Sequence, residues 1–374
     1  MRLPVVWLLA LSLTAPALGA GTAPERAPAA ILIDADSGRP LREQDADAAR
    51  PSGSLSQLML LLLSLEQASL GMLPLQVPVT LSDSAVNAAG GFRVPLRSDK
   101  TYLLSDLLKA VTVASASDAA VAVAEALAGS VPDCMELMNA RAQRLGMLST
   151  TYSSAGNPSG ASLAAEVTTA RDVARLAEAL LRHPLVLEWA SVSGVPFDEG
   201  AVLLRNTNQL LGAVSGVDGL QASAVRLGRG ASYSVVATAR RGALRLVAVV
   251  LDAPDTATRY SMAADLLEWG FAHYERVEVA KEGEPVNLAV RVLRGAVSQL
   301  TPVASRNLSL LRQRGDECEL ELRYQLPAAV TAPLKRQQLI GEVIVEQKGE
   351  LLAVIPLSSP ISVAVGGIMS ASRQ

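Results

Sequence analysis

The stretch Arg50-Pro51-Ser52-Gly53-Ser54-Leu55-Ser56-Gln57-Leu58-Met59 constrains this chain more than any other, because it opens a strongly apolar segment that runs to Leu65 before Glu66 and Gln67. It reads as the start of the helix around which the rest of the chain is organised. Two of its residues decide what the stretch does. Ser54 and Gln57 stand three apart, on one helix face. A lysine in the second place would give the serine a base. An amide nitrogen is neither basic nor charged, so Gln57 can neither take the proton from Ser54 nor favour its alkoxide. The quartet Ser54-x-x-Gln57 satisfies instead the helix capping box, in which Ser bonds the N3 amide and Gln reaches back to the N-cap amide.

At the beginning, Met1 and Arg2 precede an apolar run over 3–13 and then the small residues Ala15, Ala17, Gly19, Ala20 and Gly21. This is the pattern of a secretory signal peptide over 1–23, and the run is too short for a transmembrane helix. Cleavage would leave about 350 residues, enough for two domains at about 150 residues each. The net charge of -3 over 374 residues, with no basic run, argues against nucleic acid or an anionic membrane face. Cys134 and Cys318 fall in different domains, which argues against an intradomain disulfide, and each reads as a small buried hydrophobe. His183 and His273 offer no metal-ligand cluster and read as structural or surface residues.

In chain order, Ala30-Ile31-Leu32-Ile33-Asp34 is an apolar strand, Asp36-Ser37-Gly38 a turn, and 39–43 a returning strand. After the organising helix, 77–81 reads as a short strand and 88–91 as a flexible loop. Helices follow over 103–113, over 119–128 with Asp118 as N-cap and Gly129 as stop, over 134–145 with Gly146 as C-cap, and over 168–181. The peptide Asn157-Pro158-Ser159-Gly160 is a turn. From Arg205 onward the pattern is extended, with a sheet-core hairpin of 233–240 and 244–251 around Arg241-Gly242, and 256–271 reads as a closing helix. The fold class is α+β, a sheet with an inserted helical cluster over 24–275. A small all-β sandwich follows over 276–366, with strands at 286–292, 308–311, 317–324, 339–347 and 351–356 and no helix. Residues 367–374 form a short tail.

With these landmarks the chain resembles the D-alanyl-D-alanine carboxypeptidases, the low-molecular-mass penicillin-binding proteins that trim peptidoglycan peptides. The likeness covers nearly the whole mature chain. It rests on Ile31-Leu32-Ile33-Asp34, Leu137-Met138-Asn139, Leu145-Gly146-Met147, Asn157-Pro158, Asn206-Thr207-Asn208-Gln209-Leu210-Leu211 and Val217-Asp218-Gly219-Leu220, in that order. The family's catalytic motifs S-x-x-K, S-x-N and K-T-G fall on Ser54-x-x-Gln57, on Ser115-Ala116-Ser117 and on Gln221-Ala222-Ser223. Each is broken. Gln57 stands where the base belongs, and Ser117 where an amide would hold the substrate peptide. Gln221 replaces the lysine that would pair with the terminal carboxylate, and Ser223 adds bulk where glycine lets substrate approach. The segment 224–230, with Arg226 and Arg229, reads as a loop about three residues longer than the family's usual one, its arginines solvated. Of the five lysines Lys100, Lys109, Lys281, Lys335 and Lys348, only Lys109 lies near a motif, in an ordinary helical place.

Losing one general base costs about 10² to 10⁴ in rate, and here two cationic groups are gone together. The resemblance therefore implies one of two functions. The favoured one is an exported pseudoenzyme that binds peptidoglycan or a cell-wall enzyme without cutting. The rival is a living D,D-carboxypeptidase acting through Ser54. No cofactor or metal is called for. Family members commonly end in an amphipathic helix on the inner membrane; 368–374 is too short and polar for that, so the mature protein is expected to be soluble in the periplasm.

Overall fold

The protein is described by a computed structural model over residues 27–88, 90–156, 166–227, 230–316 and 319–366. The main sheet is built from β1 (Ala29–Asp34), β2 (Pro40–Gln44), β3 (Ala222–Leu227), β4 (Gly230–Arg241) and β5 (Leu244–Ala253). Their order is β3-β4-β5-β1-β2, and the short strand Val217–Gly219 also pairs with β4. All these pairs are antiparallel. Ile31 and Ile33 of β1 join the core on one face of the sheet and Ala30 and Leu32 the core on the other, which is why β1 is apolar throughout instead of alternating.

Five helices make the cluster on the first face: α1 (Ser56–Ser69), α2 (Leu104–Ala114), α3 (Ser117–Ala128), α4 (Val131–Arg144) and α5 (Ala170–Leu180). Every α1 residue from Ser56 to Leu65 is buried. A helix apolar all round has no face to give to water, and α2, α3, α4 and α5 all pack against this one. The opposite face of the sheet is covered by α6 (Thr256–His273), capped by Asp255, whose Oδ1 accepts the Thr258 amide at 2.7 Å. Close approach fixes one residue there: a Cβ on Gly270 would lie 2.6 Å from Leu246 Cδ1 and 2.7 Å from Leu32 Cδ2.

Most boundaries expected from sequence hold within a few residues. The α4 helix starts three residues early because Ser130 caps it, accepting the Asp133 amide at 3.2 Å, with Pro132 in its first turn. Asp118 is not an N-cap. The α3 helix begins at Ser117, and Asp118 turns inward so that its Oδ1 accepts the Val94 amide at 3.1 Å. The strand expected over 77–81 shrinks to Pro78–Val79. The helix Pro184–Ala190, before which His183 stands, was not expected. The signal segment 1–23, the turn 157–160, the tail 367–374, Arg229 and Cys318 lie outside the described residues.

The second module begins with β6 (Tyr274–Ala280), at the residue after α6 ends. It continues with β7 (Val290–Leu293), β8 (Leu308–Gln313), β9 (Glu321–Gln325), β10 (Leu339–Gln347) and β11 (Glu350–Ser358). The β6–β8 ribbon lies over the sheet of β9, β10 and β11, and Val343, Val345, Ile355 and Leu357 pack against Val279, Leu308 and Leu310 between them. It contains no helix among the described residues, the all-β sandwich expected from sequence. Its first strand is tied to the main sheet: Arg276 Nη2 lies 2.6 Å from Asp34 Oδ2 and its Nε 3.2 Å from Asp36. Asp34 is fully buried and Arg276 nearly so.

Candidate functional site

The chain leaves the short strand Arg50–Pro51 through Gly53, whose φ of +55° suits glycine, and makes one 3₁₀ turn, Gly53–Leu55, before α1 begins. The expected capping box does not form. Leu55 occupies the N-cap of α1 with no side-chain bond, which leaves Ser54 in the turn and directs Gln57 inward instead of back along the backbone. The competing pull is a set of buried partners that a backbone cap could not satisfy.

Those partners come from two other elements. Ser115 ends α2 in the left-handed conformation, φ 55° and ψ 41°, an uncommon state for serine that makes the corner into α3. Gln221 stands immediately before β3. Gln57 Oε1 accepts both the Ser115 hydroxyl at 3.0 Å and Gln221 Nε2 at 2.7 Å, while Gln221 Nε2 also donates to Ser115 Oγ at 2.8 Å. Gln57 Nε2 donates to the carbonyls of Ser115 at 3.4 Å and Gly156 at 3.3 Å. Gln57 and Gln221 are both buried, so these three side chains close a neutral ring in which amides stand where the family places two lysines.

Ser54 Oγ makes no hydrogen bond among the described residues, to this ring or elsewhere. Its backbone N–H donates to Ser223 Oγ at 2.9 Å. Acyl transfer at a serine uses such an amide to receive the developing oxyanion, and here a hydroxyl of the same chain already fills that place. Ala222 lines the cleft beside Ser223. Ser117 is not brought into the ring. Its buried hydroxyl has no partner among the described residues, and it lies against Gly156, where an added Cβ would be 3.5 Å from the Ser117 Cβ. The described part of segment 224–230 is strand, with β3 and β4 paired as far as Leu227 and Gly230. Lys109 pairs with Asp106 at 3.1 Å and does not line the cleft.

The cleft, about 310 Å³, is lined by Ser54, Ser115, Thr207, Ser223, Arg259 and the half-exposed ring of Phe92, among others. Arg259 is a residue that sequence reasoning missed. It lies in the first turn of α6, buried, with Nη1 donating to Ser223 O at 2.5 Å and Ser234 O at 3.3 Å and Nη2 to the Tyr260 hydroxyl at 3.2 Å. Its guanidinium lies over the rings of Tyr233 and Tyr260, and its Nε is left without a partner. Among the described residues no carboxylate pairs with it. Burial pulls its pKa down from the ordinary guanidinium value, the tyrosines oppose this, and arginine stays charged. A desolvated cation facing a cleft fits an anionic group. Nothing in the local pattern marked it, since one arginine in an amphipathic helix reads as surface.

Residues 19–255 match the family described as D-alanyl-D-alanine carboxypeptidase, and residues 274–364 match the C-terminal domain of penicillin-binding protein 5. The D-alanyl-D-alanine carboxypeptidase DacC of Escherichia coli is 31% identical over 344 residues, 90% of this chain and 84% of that protein. DacF of Bacillus subtilis is 26% identical over 92% of this chain and 87% of its own. Penicillin binding protein 5 from Haemophilus influenzae superposes with a TM-score of 0.69 at 26% identity, over 92% of this chain and all of that one. Penicillin-binding protein D2 from Listeria monocytogenes, solved in an ampicillin-bound form, gives 0.55 at 33% identity over 65% of this chain and 96% of its own.

Proposed function

The chain belongs to the D-alanyl-D-alanine carboxypeptidase family of low-molecular-mass penicillin-binding proteins, and we propose that it is a catalytically inactive member that holds peptidoglycan peptides without cutting them. One observation carries the reading: Gln57, Ser115 and Gln221 satisfy one another in a closed, uncharged ring, so among the described residues no group of the family motifs is placed to take the Ser54 proton. The Ser223 hydroxyl on the Ser54 amide supports it, because a substrate carbonyl would have to displace that contact first. Arg259 supports the binding half, as a desolvated cation lining the cleft for a terminal carboxylate. In this reading residues 24–275 bind and 276–366 form a second domain that presents the first or meets a partner enzyme. The apolar N-terminus is read as an export signal and the protein as periplasmic. No helix among the described residues is long and apolar enough to cross a membrane.

The test is acylation by a labelled penicillin together with release of D-alanine from a pentapeptide, both expected to be absent. Stoichiometric labelling that disappears in Ser54→Ala would instead establish the rival, a working carboxypeptidase. The binding half is checked by calorimetry with an acetylated Lys-D-Ala-D-Ala tripeptide. Arg259→Ala should weaken that binding by about tenfold or more, the worth of a charged hydrogen bond.

A further inference from the structure

Beside the cleft stands a carboxyl that this reading does not use. Glu166, just before the short strand Val167–Thr168, is fully buried. The Ser52 hydroxyl donates to its Oε1 in a very short contact, the Ser154 hydroxyl donates to Oε2 at 2.8 Å, and the Ser153 amide reaches Oε2 at 3.3 Å. Among the described residues no cation pairs with it. Its donors come from two segments. Ser52 lies two residues before Ser54 in the turn that carries the nucleophile. Ser153 and Ser154 belong to the segment whose Gly156 carbonyl receives Gln57 Nε2.

We propose that Glu166 is a proton-operated latch: while it holds its proton the carboxyl stays buried and keeps the Ser52 turn, which leads into Ser54, against segment 153–156, and when the proton leaves, the charge draws in water and the two segments loosen. The physical ground is that an ionised carboxylate away from water and cations is costly, so the arrangement that buries it must bind its proton more tightly than one that hydrates it. Burial does push this carboxyl above the usual range, against the pull of the Ser52, Ser154, Ser153 and Ser56 donors. Lowering the pH therefore favours the closed form.

Among the described residues, the elements around Glu166 bring the following titratable and charged groups. Segment 149–156 brings Tyr152, whose hydroxyl is pushed upward by burial and stays neutral. From α5 comes Asp172, bound by the Ser149 amide, the Thr150 hydroxyl and Arg175. The paired strand carries Arg50, turned toward the Ala27 carbonyl and Asp252. On the near end of α1, Ser56 contributes a hydroxyl only, and residues 157–165 contain no ionisable side chain. His183 and His273 belong to other elements, before the helix Pro184–Ala190 and at the end of α6.

Hydrogen exchange on the mature chain, corrected for intrinsic chemistry, tests the latch. Amides of 52–56 and 153–156 should exchange about tenfold more slowly at about pH 5.5 than at about pH 8. Glu166→Gln, neutral at every pH, should exchange slowly at both. Equal protection of the wild type at the two pH values overturns the proposal whether or not the variant folds, and so does a variant that keeps the wild-type profile, as a histidine effect would. A second arm measures the acetylated Lys-D-Ala-D-Ala tripeptide at both pH values and rests on the proposed binding function. Affinity falling with rising pH in wild type, and not in Glu166→Gln, supports the latch. Binding that is flat with pH overturns it. No binding at either pH, with the exchange profile intact, supports the latch and overturns the binding function alone.

Discussion

Gln57 and Gln221 answer each other's hydrogen bonds, so either replaced alone damages the ring before it restores anything. Gln57→Lys places an ammonium in a fully buried position beside an amide donor, with no carboxylate to receive it. The expected loss is about 3 kcal/mol or more of unfolding free energy, read by denaturant titration, with no penicillin labelling. Four changes should recover measurable acylation: Gln57→Lys, Ser117→Asn, Gln221→Lys and Ser223→Gly. Leaving Ser223 in place should cost the recovered rate about 10² to 10³, the worth of one oxyanion donor. A folded fourfold variant that stays unlabelled would mean that the cleft has been rebuilt beyond these groups. Glu166 adds a stability signature of its own. Because the folded carboxyl has a raised pKa, its own contribution to stability should be fully present below the unfolded value of about 4.3 and be lost as pH rises through the folded one. Glu166→Gln should lack that decline in a set of melting curves taken across the range.

Element positions were largely legible because they depend on local signals. The apolar run of β1 and Gly129, which ends α3 at φ +82°, each speak within a few residues. Gly270 shows where that reading stops. Its helix reads the same with alanine there, yet a Cβ would press on Leu32 and Leu246 from two different strands. Gly270→Ala should therefore destabilise, since overpacking of about 1–3 kcal/mol outweighs about 1 kcal/mol of helix propensity. A melting temperature equal to or above wild type would contradict that packing. The site was legible to the same depth. The motif positions bring Ser115 and Gln221 into one ring with Gln57 and leave Ser54 in the cleft lining, whereas the four-residue pattern assigns Gln57 to a cap because a tertiary partner 164 residues away cannot be seen in it. Arg259 and Glu166 escaped for the same reason, as a single charge on an amphipathic stretch carries no sign of what covers it.

Across the whole molecule, Arg276 is a buried charged fastening that crosses from the second module to the first, beside the bonds of Arg314 to the Phe271 and His273 carbonyls. Removing it leaves Asp34 buried and without its cation. Arg276→Ala should cost about 3–5 kcal/mol if the modules stay together, or release the second module if they do not. Small-angle scattering and limited proteolysis near Tyr274 separate these outcomes, and an unchanged profile in both with unchanged stability would show that the fastening is idle. The seam has one more property, set by α6. That helix carries Arg259 in its first turn and becomes β6 at Tyr274 with no residue between. Fifteen residues of α-helix span about 22 Å without a joint. The cleft cation and the first strand of the second module are thus carried on one continuous element that the main sheet holds along its length.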